Sequence, residues 1–430
     1  MTDVSSRTAD LRRLARTDAA AAKRLLRDLL HDLFAIKATG IAFNHDQYSL
    51  NSLNGFFEAD GQPLFFKFHQ EEGEEAMSGE YYRADILARA GLPVDQPVLM
   101  STLPGEQILI YRRRSDPRFS DVLRTLDLSP DDAAEVRAVE AERRLSEMLL
   151  DVYRRTLHPI TPEQAAAEPI HRLFHERLID PPTNAFPGGR YRNFYVGQRF
   201  TFPGVDIGWD ALAAAAVVVN GRRYRKSIGR LFDDAAERLR PDKLADAGGV
   251  VAHGDAHNAN VWYTETQGGA TLSYFDPAFA GENVPTLLAE IKTTFHNVFA
   301  HPLWLYDPAE AERRYSANAR FADGTLHLET DWQPSRIRLS LLDVKARHLW
   351  RPLLATLKER GMLPADWRDV VRLGLFLCPT LVMNLRAGAT SHNRLSSLIA
   401  FSVAAMVGSE PEGEGDFVSR FLDAIDPDRT

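Results

Sequence analysis

Apolar residues recur at three- and four-residue steps through Leu11, Leu14, Leu25, Leu29 and Leu33, with arginines and aspartates between them. That spacing predicts one amphipathic helix over residues 9–35. Its apolar stripe suits packing on the lobe that follows; pairing with a second copy is the alternative. From residue 48 the period changes to two, and residues 48–53, 55–59 and 64–69 read as three short strands. Asn51, Ser52, Asn54 and Gly55 make the first turn, and Asp60-Gly61 makes the second. A helical pattern resumes over 73–90 and stops at Gly91, with Pro93 just beyond. Two further strands follow at 97–102 and 107–112, and residues 111–116 form a hinge.

After Ser120 the pattern is helical. Ser129 suits an N-cap and Pro130 a first helical position. The long helix they begin carries Val136, Val139, Leu145, Leu149, Leu150 and Val152, which predicts the central buried helix of a second lobe. Residues 158–209 are irregular and rich in proline, glycine and aromatics. Residues 209–239 read as helix. Residues 261–264 and 270–275 form a hairpin around Gln267-Gly268-Gly269. Beyond 282 the chain is mainly helical, with candidates at 340–361, 367–385 and 394–407. A hairpin around Asp323-Gly324 interrupts it, and 409–416 is an acidic loop. The fold class is therefore α+β and bilobal, with a small β-rich N-lobe and a larger, mainly helical C-lobe. The expected segments are a helical extension at 1–40, the small lobe and hinge at 41–116, and the helical lobe at 117–430.

Composition narrows the function. Lysine and arginine total 51 against 59 acidic residues, a net charge of −8, which argues against general nucleic-acid binding. The single cysteine, Cys378, excludes an intrachain disulfide and a multi-cysteine metal site. Its neighbours Leu375, Phe376 and Leu377 suggest a buried, inert thiol. The first 16 residues carry no targeting signal. The longest apolar runs fall far short of the roughly 20 residues a bilayer span needs. A soluble, cytoplasmic protein with no membrane partner is expected.

The candidate chemistry lies in 249–282. His253-Gly254-Asp255, His257 and Asn260 precede the hairpin, and Asp276 follows it. Two carboxylates and an amide thus come within reach of one point, the set needed to hold Mg²⁺ and to relieve an attacking hydroxyl of its proton. Asp255 would orient and deprotonate the hydroxyl. Asn260 and Asp276 would bind the metal. Lys67 stands among Phe65, Phe66 and Phe68; it points to solvent by alternation or reaches a buried or ligand anion. Glu80, on the next helix, would pair with it to steady it for nucleotide phosphates, with Glu74 and Glu75 as competitors. The turn at Ser52 and Asn54 could offer backbone N–H groups to phosphate.

Other groups have two readings. His253 and His257 could hold zinc or could hold the loop through hydrogen bonds. Arg112, Arg113 and Arg114 could meet an anionic substrate or form a solvated connector. Arg190 to Tyr195 could stack on nucleic acid or belong to a structured insert lining a cleft, which the acidic total favours. Acceptor contacts are expected from 158–209 and from the helices after 285, with Glu290, His296, Asn297, Trp304 and Arg386 as candidates.

These residues together resemble the aminoglycoside phosphotransferase and choline kinase group of small-molecule kinases, which share the protein-kinase-like fold. The matching residues are His253-Gly254-Asp255, His257 and Asn260, then Asp276 with Gly281-Glu282 after it. Ser52, Asn54, Lys67 and Glu80 are similar to the nucleotide-lobe elements of that group. The resemblance implies ATP and Mg²⁺ as cofactors, with Asp255 as catalytic base and Asn260 and Asp276 as metal ligands. It also implies Lys67 on the ATP phosphates, held by Glu80. The acceptor it implies is a hydroxyl of a small metabolite: a sugar, cyclitol, amino alcohol or aminoglycoside. A non-catalytic nucleotide-binding regulator, and a protein kinase or nucleotidyl transferase, are the alternatives. The chain departs from the group at Pro277 and at Leu288-Ala289-Glu290-Ile291, where members often carry Asp-Leu-Ala. Glu290 is expected at most to support the site. Residues 1–40, 158–209 and 300–430 also exceed the compact resistance kinases.

Overall fold

A computed structural model of the chain describes residues 6–44, 52–69, 83–101, 103, 105–300 and 302–429. The single helix expected over 9–35 is two helices, α1 (Arg7–Thr17) and α2 (Ala19–Phe34). Asp18 divides them: its backbone leaves the helical region, with φ −150 and ψ 87, and its side chain accepts hydrogen bonds from the Ala20 and Ala21 amides as the N-cap of α2. Aspartate competes with the helix for those donors, so a continuous apolar stripe did not guarantee a continuous helix. Leu11, Leu26, Leu29 and Leu30 pack on Phe57, Phe66, Phe68, Ile108 and Ile110, so both helices share the core of the sheet that follows.

That sheet has five antiparallel strands: β1 (Thr39–Phe43), β2 (Ser52–Ala59), β3 (Gln62–His69), β4 (Leu99–Ser101) and β5 (Ile108–Arg112). Their order is β1-β2-β3-β5-β4. The turn expected at 51–55 does not form. Ser52, Asn54 and Gly55 are strand residues paired with His69, Lys67 and Phe66, and residues 45–51 lie outside the described residues. Gly55 is glycine because a Cβ there would stand 2.2 Å from the Ala42 carbonyl oxygen and 2.8 Å from the Phe66 ring. Asp60 and Gly61 do make the next turn, both at positive φ. Alternation sends Leu64, Phe66 and Phe68 into the helix-covered core. Phe65 and Lys67 face the opposite side with Asn54 and Phe56.

α3 (Ala84–Ala90) is the described part of the helix expected over 73–90, and it ends at Gly91 with φ +95. Glu74, Glu75 and Glu80 lie outside the described residues. The connector after β5 leaves Arg112 and Arg113 exposed, as a solvated connector would, but it is pinned at Arg114. Arg114 bonds Asp95 at 2.8 Å, Asp116 at 2.9 Å and Thr264 at 3.0 Å, while Arg113 lies over the Phe56 ring.

The second lobe begins with α4 (Phe119–Leu128) and α5 (Asp132–Thr156). Asp131, not Ser129, caps α5, accepting from the Ala134 amide. α5 buries Ala138, Ala141, Leu145, Leu149 and Tyr153 in the core and leaves Val136 exposed. The helix expected over 209–239 is broken. Residues Ala216–Val219 and Arg222–Tyr224 form a hairpin through Asn220-Gly221, both at positive φ. The β-branched run Val217-Val218-Val219 and its Asn-Gly turn outweigh the helical pattern around them. Ala216–Val219 also pairs in parallel with Thr325–Thr330, whose hairpin turns at Asp323-Gly324 as expected. Tyr191 and Tyr195 stack within a buried aromatic cluster with Trp209 and Phe232, which removes them from any nucleic-acid surface. Cys378 is buried, and burial pushes its thiol up to about 12. Among the described residues no helix is long and apolar enough to cross a membrane.

Candidate active site

The site is built by local geometry. Strand Gly249–Ala252 pairs antiparallel with Gly281–Pro285. Between them lie a loop, the short turn Asn258–Asn260 and the hairpin of Val261–Thr266 with Gly269–Tyr274. Because Val261 pairs with Tyr274, the hairpin closes with its two flanking residues adjacent, and the Phe275 amide donates to the Asn260 carbonyl at 3.0 Å. The register thus sets Asn260 beside Asp276.

Three hydrogen bonds fix the loop. His253 Nδ1 accepts from the Asp255 amide at 3.3 Å, and Nε2 bonds the Phe275 carbonyl at 3.0 Å. Asn260 Nδ2 donates to the Asp255 carbonyl at 2.9 Å. His253 is therefore a neutral imidazole with its hydrogen on Nε2, and burial holds its pKa below the ordinary histidine value. Both of its nitrogens serve the loop. Gly254, at φ +77, has the Phe279 carbonyl oxygen 2.5 Å from where a Cβ would stand. Gly281 meets the Glu168 carboxylate in the same way. Asp276 has φ +56, left-handed backbone that a non-glycine residue seldom adopts, immediately before Pro277. Such a conformation costs on the order of 1–3 kcal/mol.

A cleft of about 710 Å³ between the lobes is lined by Asn54, Lys67, Asp255, Asn260 and Asp276. Lys67 crosses it to form an ion pair with Asp276. Of the two outcomes open for Lys67, the strand faces it toward the cleft. Ser52 lies in β2; Glu80 is outside the described residues. Among the described residues no three histidine, cysteine or carboxylate side chains gather to hold a metal on their own. The set at the hairpin mouth fits a hard cation in another way. With Nδ2 of Asn260 committed to the loop, Oδ1 is the end of the amide on offer, and Asp276 supplies carboxylate oxygens. Mg²⁺ is commonly held by one or two protein oxygens together with substrate phosphates.

Sequence reasoning missed Lys292. It follows the short Leu288-Ala289-Glu290-Ile291 run, and its ammonium lies 3.4 Å from Asp255 Oδ1, its side chain only 5% exposed. A lysine inside an apolar stretch was the available signal, as it had been for Lys67. His257 Nε2 stands 3.8 Å from the other Asp255 oxygen. Burial lowers the His257 pKa, which keeps the ring neutral at pH 7. Asn297 accepts from the Asn258 amide at 2.9 Å. It sits in the π-helical turn Phe295–Phe299, and its own carbonyl accepts from Arg338 at 2.7 Å. Arg338 in turn pairs with Asp127, whose side chain is fully buried.

Glu290 does not line the cleft. It accepts from the Tyr153 hydroxyl at 2.6 Å and the Thr293 hydroxyl at 2.7 Å, and it pairs with Lys345 at 3.3 Å. Glu142 completes this buried network at 3.0 Å from Lys345. Its place is beneath the helix that carries Lys292. Trp304 is buried in the core, its indole N–H bonded to the Phe299 carbonyl.

No family model matches the chain, and no curated protein matches it. Solved structures similar to it are small-molecule kinases. A spectinomycin phosphotransferase, APH(9)-Ia, in complex with ADP and spectinomycin is 13% identical, with TM-score 0.37, covering 89% of this chain and 98% of that one. The aminoglycoside phosphotransferase APH(4)-Ia, in a ternary complex with ADP and hygromycin B, is 11% identical with TM-score 0.43, covering 88% and 97%. The Plasmodium vivax ethanolamine kinase is 10% identical with TM-score 0.39, covering 99% and 94%.

Proposed function

We propose that the protein is an ATP- and Mg²⁺-dependent phosphotransferase that moves the γ-phosphate of ATP to a hydroxyl of a small metabolite. The observation that carries this reading is the convergence of Lys67, Asp255, Asn260 and Asp276 on one interlobe cleft. Lys67 reaches the triphosphate from the strand face, where its positive charge offsets charge on the transferring group. Asn260 and Asp276 would hold Mg²⁺, which when bound neutralises charge on the phosphate oxygens. Asp255 accepts the hydroxyl proton as the acceptor oxygen bonds to the γ-phosphorus; the bond from that phosphorus to the bridging oxygen breaks, and ADP leaves. Lys292 pairs with the Asp255 carboxylate, and the neutral His257 ring stands beside it at 3.8 Å. The Asn260 side-chain N–H ties the Asp255 backbone carbonyl to the metal side of the site.

The test is purified protein with ATP, Mg²⁺ and a panel of hydroxyl metabolites, followed by phosphoryl transfer. Transfer is expected, and Asp255→Asn should lower kcat by at least ~100-fold. Nucleotide binding without transfer across a broad panel would favour a regulator on the same fold, and undiminished turnover by Asp255→Asn would remove the assigned base.

A further inference from the structure

Asp276 stands at φ +56, so the chain that follows must hold it there. The next residues make a turn, closed by the Ala280 amide on the Pro277 carbonyl at 3.1 Å. Arg83 Nη1 donates to the Ala280 carbonyl at 3.0 Å. The chain then enters Gly281–Pro285, whose pairing with Gly249–Ala252 is irregular. Val250 faces Val284 and Ala252 faces Gly281, so Val251 alone stands opposite both Glu282 and Asn283. That is a β-bulge, which bends a strand and leaves ladder groups to find other partners. The Val251 amide goes to the Thr156 hydroxyl at 3.2 Å. The Asn283 amide donates to Glu168 Oε1 at 2.8 Å, and the Asn283 side chain meets the His158 ring at 3.1 Å.

Glu168 lies just before the turn Pro169–Leu173, in the irregular segment 158–209. It is 6% exposed. Its second oxygen, Oε2, is buried without a hydrogen-bond partner and lies against Gly281, 1.6 Å from where a Cβ would stand. Burial holds its pKa above the ordinary carboxylate value, with the Asn283 amide and the Arg83 charge pulling the other way. A buried carboxylate satisfied on one side only adds little to stability, because its desolvation offsets what the one hydrogen bond returns. What it does hold is the chain leaving Asp276, against the strand that leads into Asp255.

We propose that Glu168 is a positioning residue for the metal side of the site: by taking the Asn283 amide it fixes the bulge, and with it the path of the chain from Asp276 to the Gly281–Pro285 strand. This rests on the phosphotransferase reading and adds to it a residue that touches neither nucleotide nor acceptor. Glu168 acts through Asn283 and Gly281. Gly281 is part of the same device, since only a residue without a side chain admits the carboxylate to the strand backbone at that point. A role confined to holding the 158–209 segment together would show in stability and leave the response to Mg²⁺ unchanged.

The experiment separates metal from nucleotide. AMP-PNP is titrated into full-length protein with and without Mg²⁺ by calorimetry, beside melting temperatures and kcat on an acceptor that the wild type phosphorylates. Glu168→Ala should leave Mg²⁺-free AMP-PNP affinity within about twofold of wild type, cut the tightening that Mg²⁺ brings by at least ~10-fold, and lower kcat by a similar factor. Glu168→Gln keeps an oxygen for the Asn283 amide and removes the buried charge. It should restore the Mg²⁺ effect to within about threefold of wild type and melt at or above the wild-type temperature. Gly281→Ala, whose methyl would displace the carboxylate, should repeat the Glu168→Ala pattern, and it decides the matter if Glu168→Ala does not fold. An unchanged Mg²⁺ effect in either alanine variant would overturn the inference, as would a Glu168→Gln as impaired as Glu168→Ala. A wild type whose AMP-PNP affinity is indifferent to Mg²⁺ would overturn it too. A wild type that binds AMP-PNP more tightly with Mg²⁺ yet transfers no phosphate to any acceptor would instead sink the phosphotransferase reading, and the binding curves would still decide the role of Glu168.

Discussion

The ammonium of Lys292 lies 3.4 Å from Oδ1 of Asp255, in a part of the second lobe where the lysine side chain is almost wholly buried. The pair joins a loop residue to a helix that starts beyond the hairpin and the returning strand. It fixes the direction of the carboxylate more firmly than the loop alone could. Lys292→Met should therefore lower kcat/KM for the acceptor by about 100-fold while leaving AMP-PNP affinity within about twofold. Steady-state kinetics and calorimetry on the same preparation check this, and equal losses in both would place Lys292 at the nucleotide.

Asp276 and Lys67 form the other ion pair of the site, and it is partly open to water: the aspartate is 32% exposed. Such pairs contribute roughly 0–1 kcal/mol to stability. Asp276→Asn should thus leave the melting temperature nearly unchanged yet lower kcat by at least ~100-fold, because the lost charge matters to the metal and phosphates. A large fall in melting temperature with kcat preserved would refute this.

The network of Glu142, Lys345 and Glu290 is a stability element. All three side chains are at most 3% exposed. Lys345→Met leaves two carboxylates buried without their cation and should cost about 3–5 kcal/mol. Burial acts to lower the Lys345 pKa, but the charges of Glu142 and Glu290 outweigh it and the net direction is upward. The stabilisation this shift brings is complete below the unfolded-state value of about 10.4 and is lost as pH rises through the folded value. Urea denaturation at neutral pH reads the first effect, and a steeper loss of wild-type stability above about pH 10.4 reads the second.

Acid should act through buried histidines. Burial lowers His171 and His392 to about 4. The unfolded chain then takes up protons first as pH falls through about 6.5. Stability is present above that value and lost between about 6.5 and 4. Each residue should contribute about 2 kcal/mol of loss at pH 5 relative to pH 7.5. The urea midpoint of His171→Gln should depend less on pH over that range than that of the wild type.

The adjacency of Asn260 and Asp276 was legible in the sequence because a hairpin is local. A turn at 267–269 closes two strands, and their register leaves little freedom for the residues at the mouth. The sheet alternation that turns Lys67 toward the cleft was half legible: the period was visible, the side facing the helices was not. Asn54 was misread because small polar residues suit both a turn and a strand, and only its pairing with Lys67 decides. The helix expected over 209–239 failed for a similar reason. Ala216–Val219 is held by Thr325–Thr330, far along the chain, and a window of sequence cannot contain its partner. Lys292 was missed because its reason for being there, Asp255, is a tertiary neighbour.

Cys378, the chain's lone thiol, lies buried in the helical core with its pKa pushed up to about 12. Maleimide and nitroxide reagents need an accessible thiolate, so the wild-type chain is a silent background for labelling. One cysteine introduced on the sheet lobe and one on the helical lobe would each accept a probe without prior removal of a native residue. The distance between the lobes could then be followed through a catalytic cycle by fluorescence transfer or spin-echo spectroscopy in an otherwise unaltered protein.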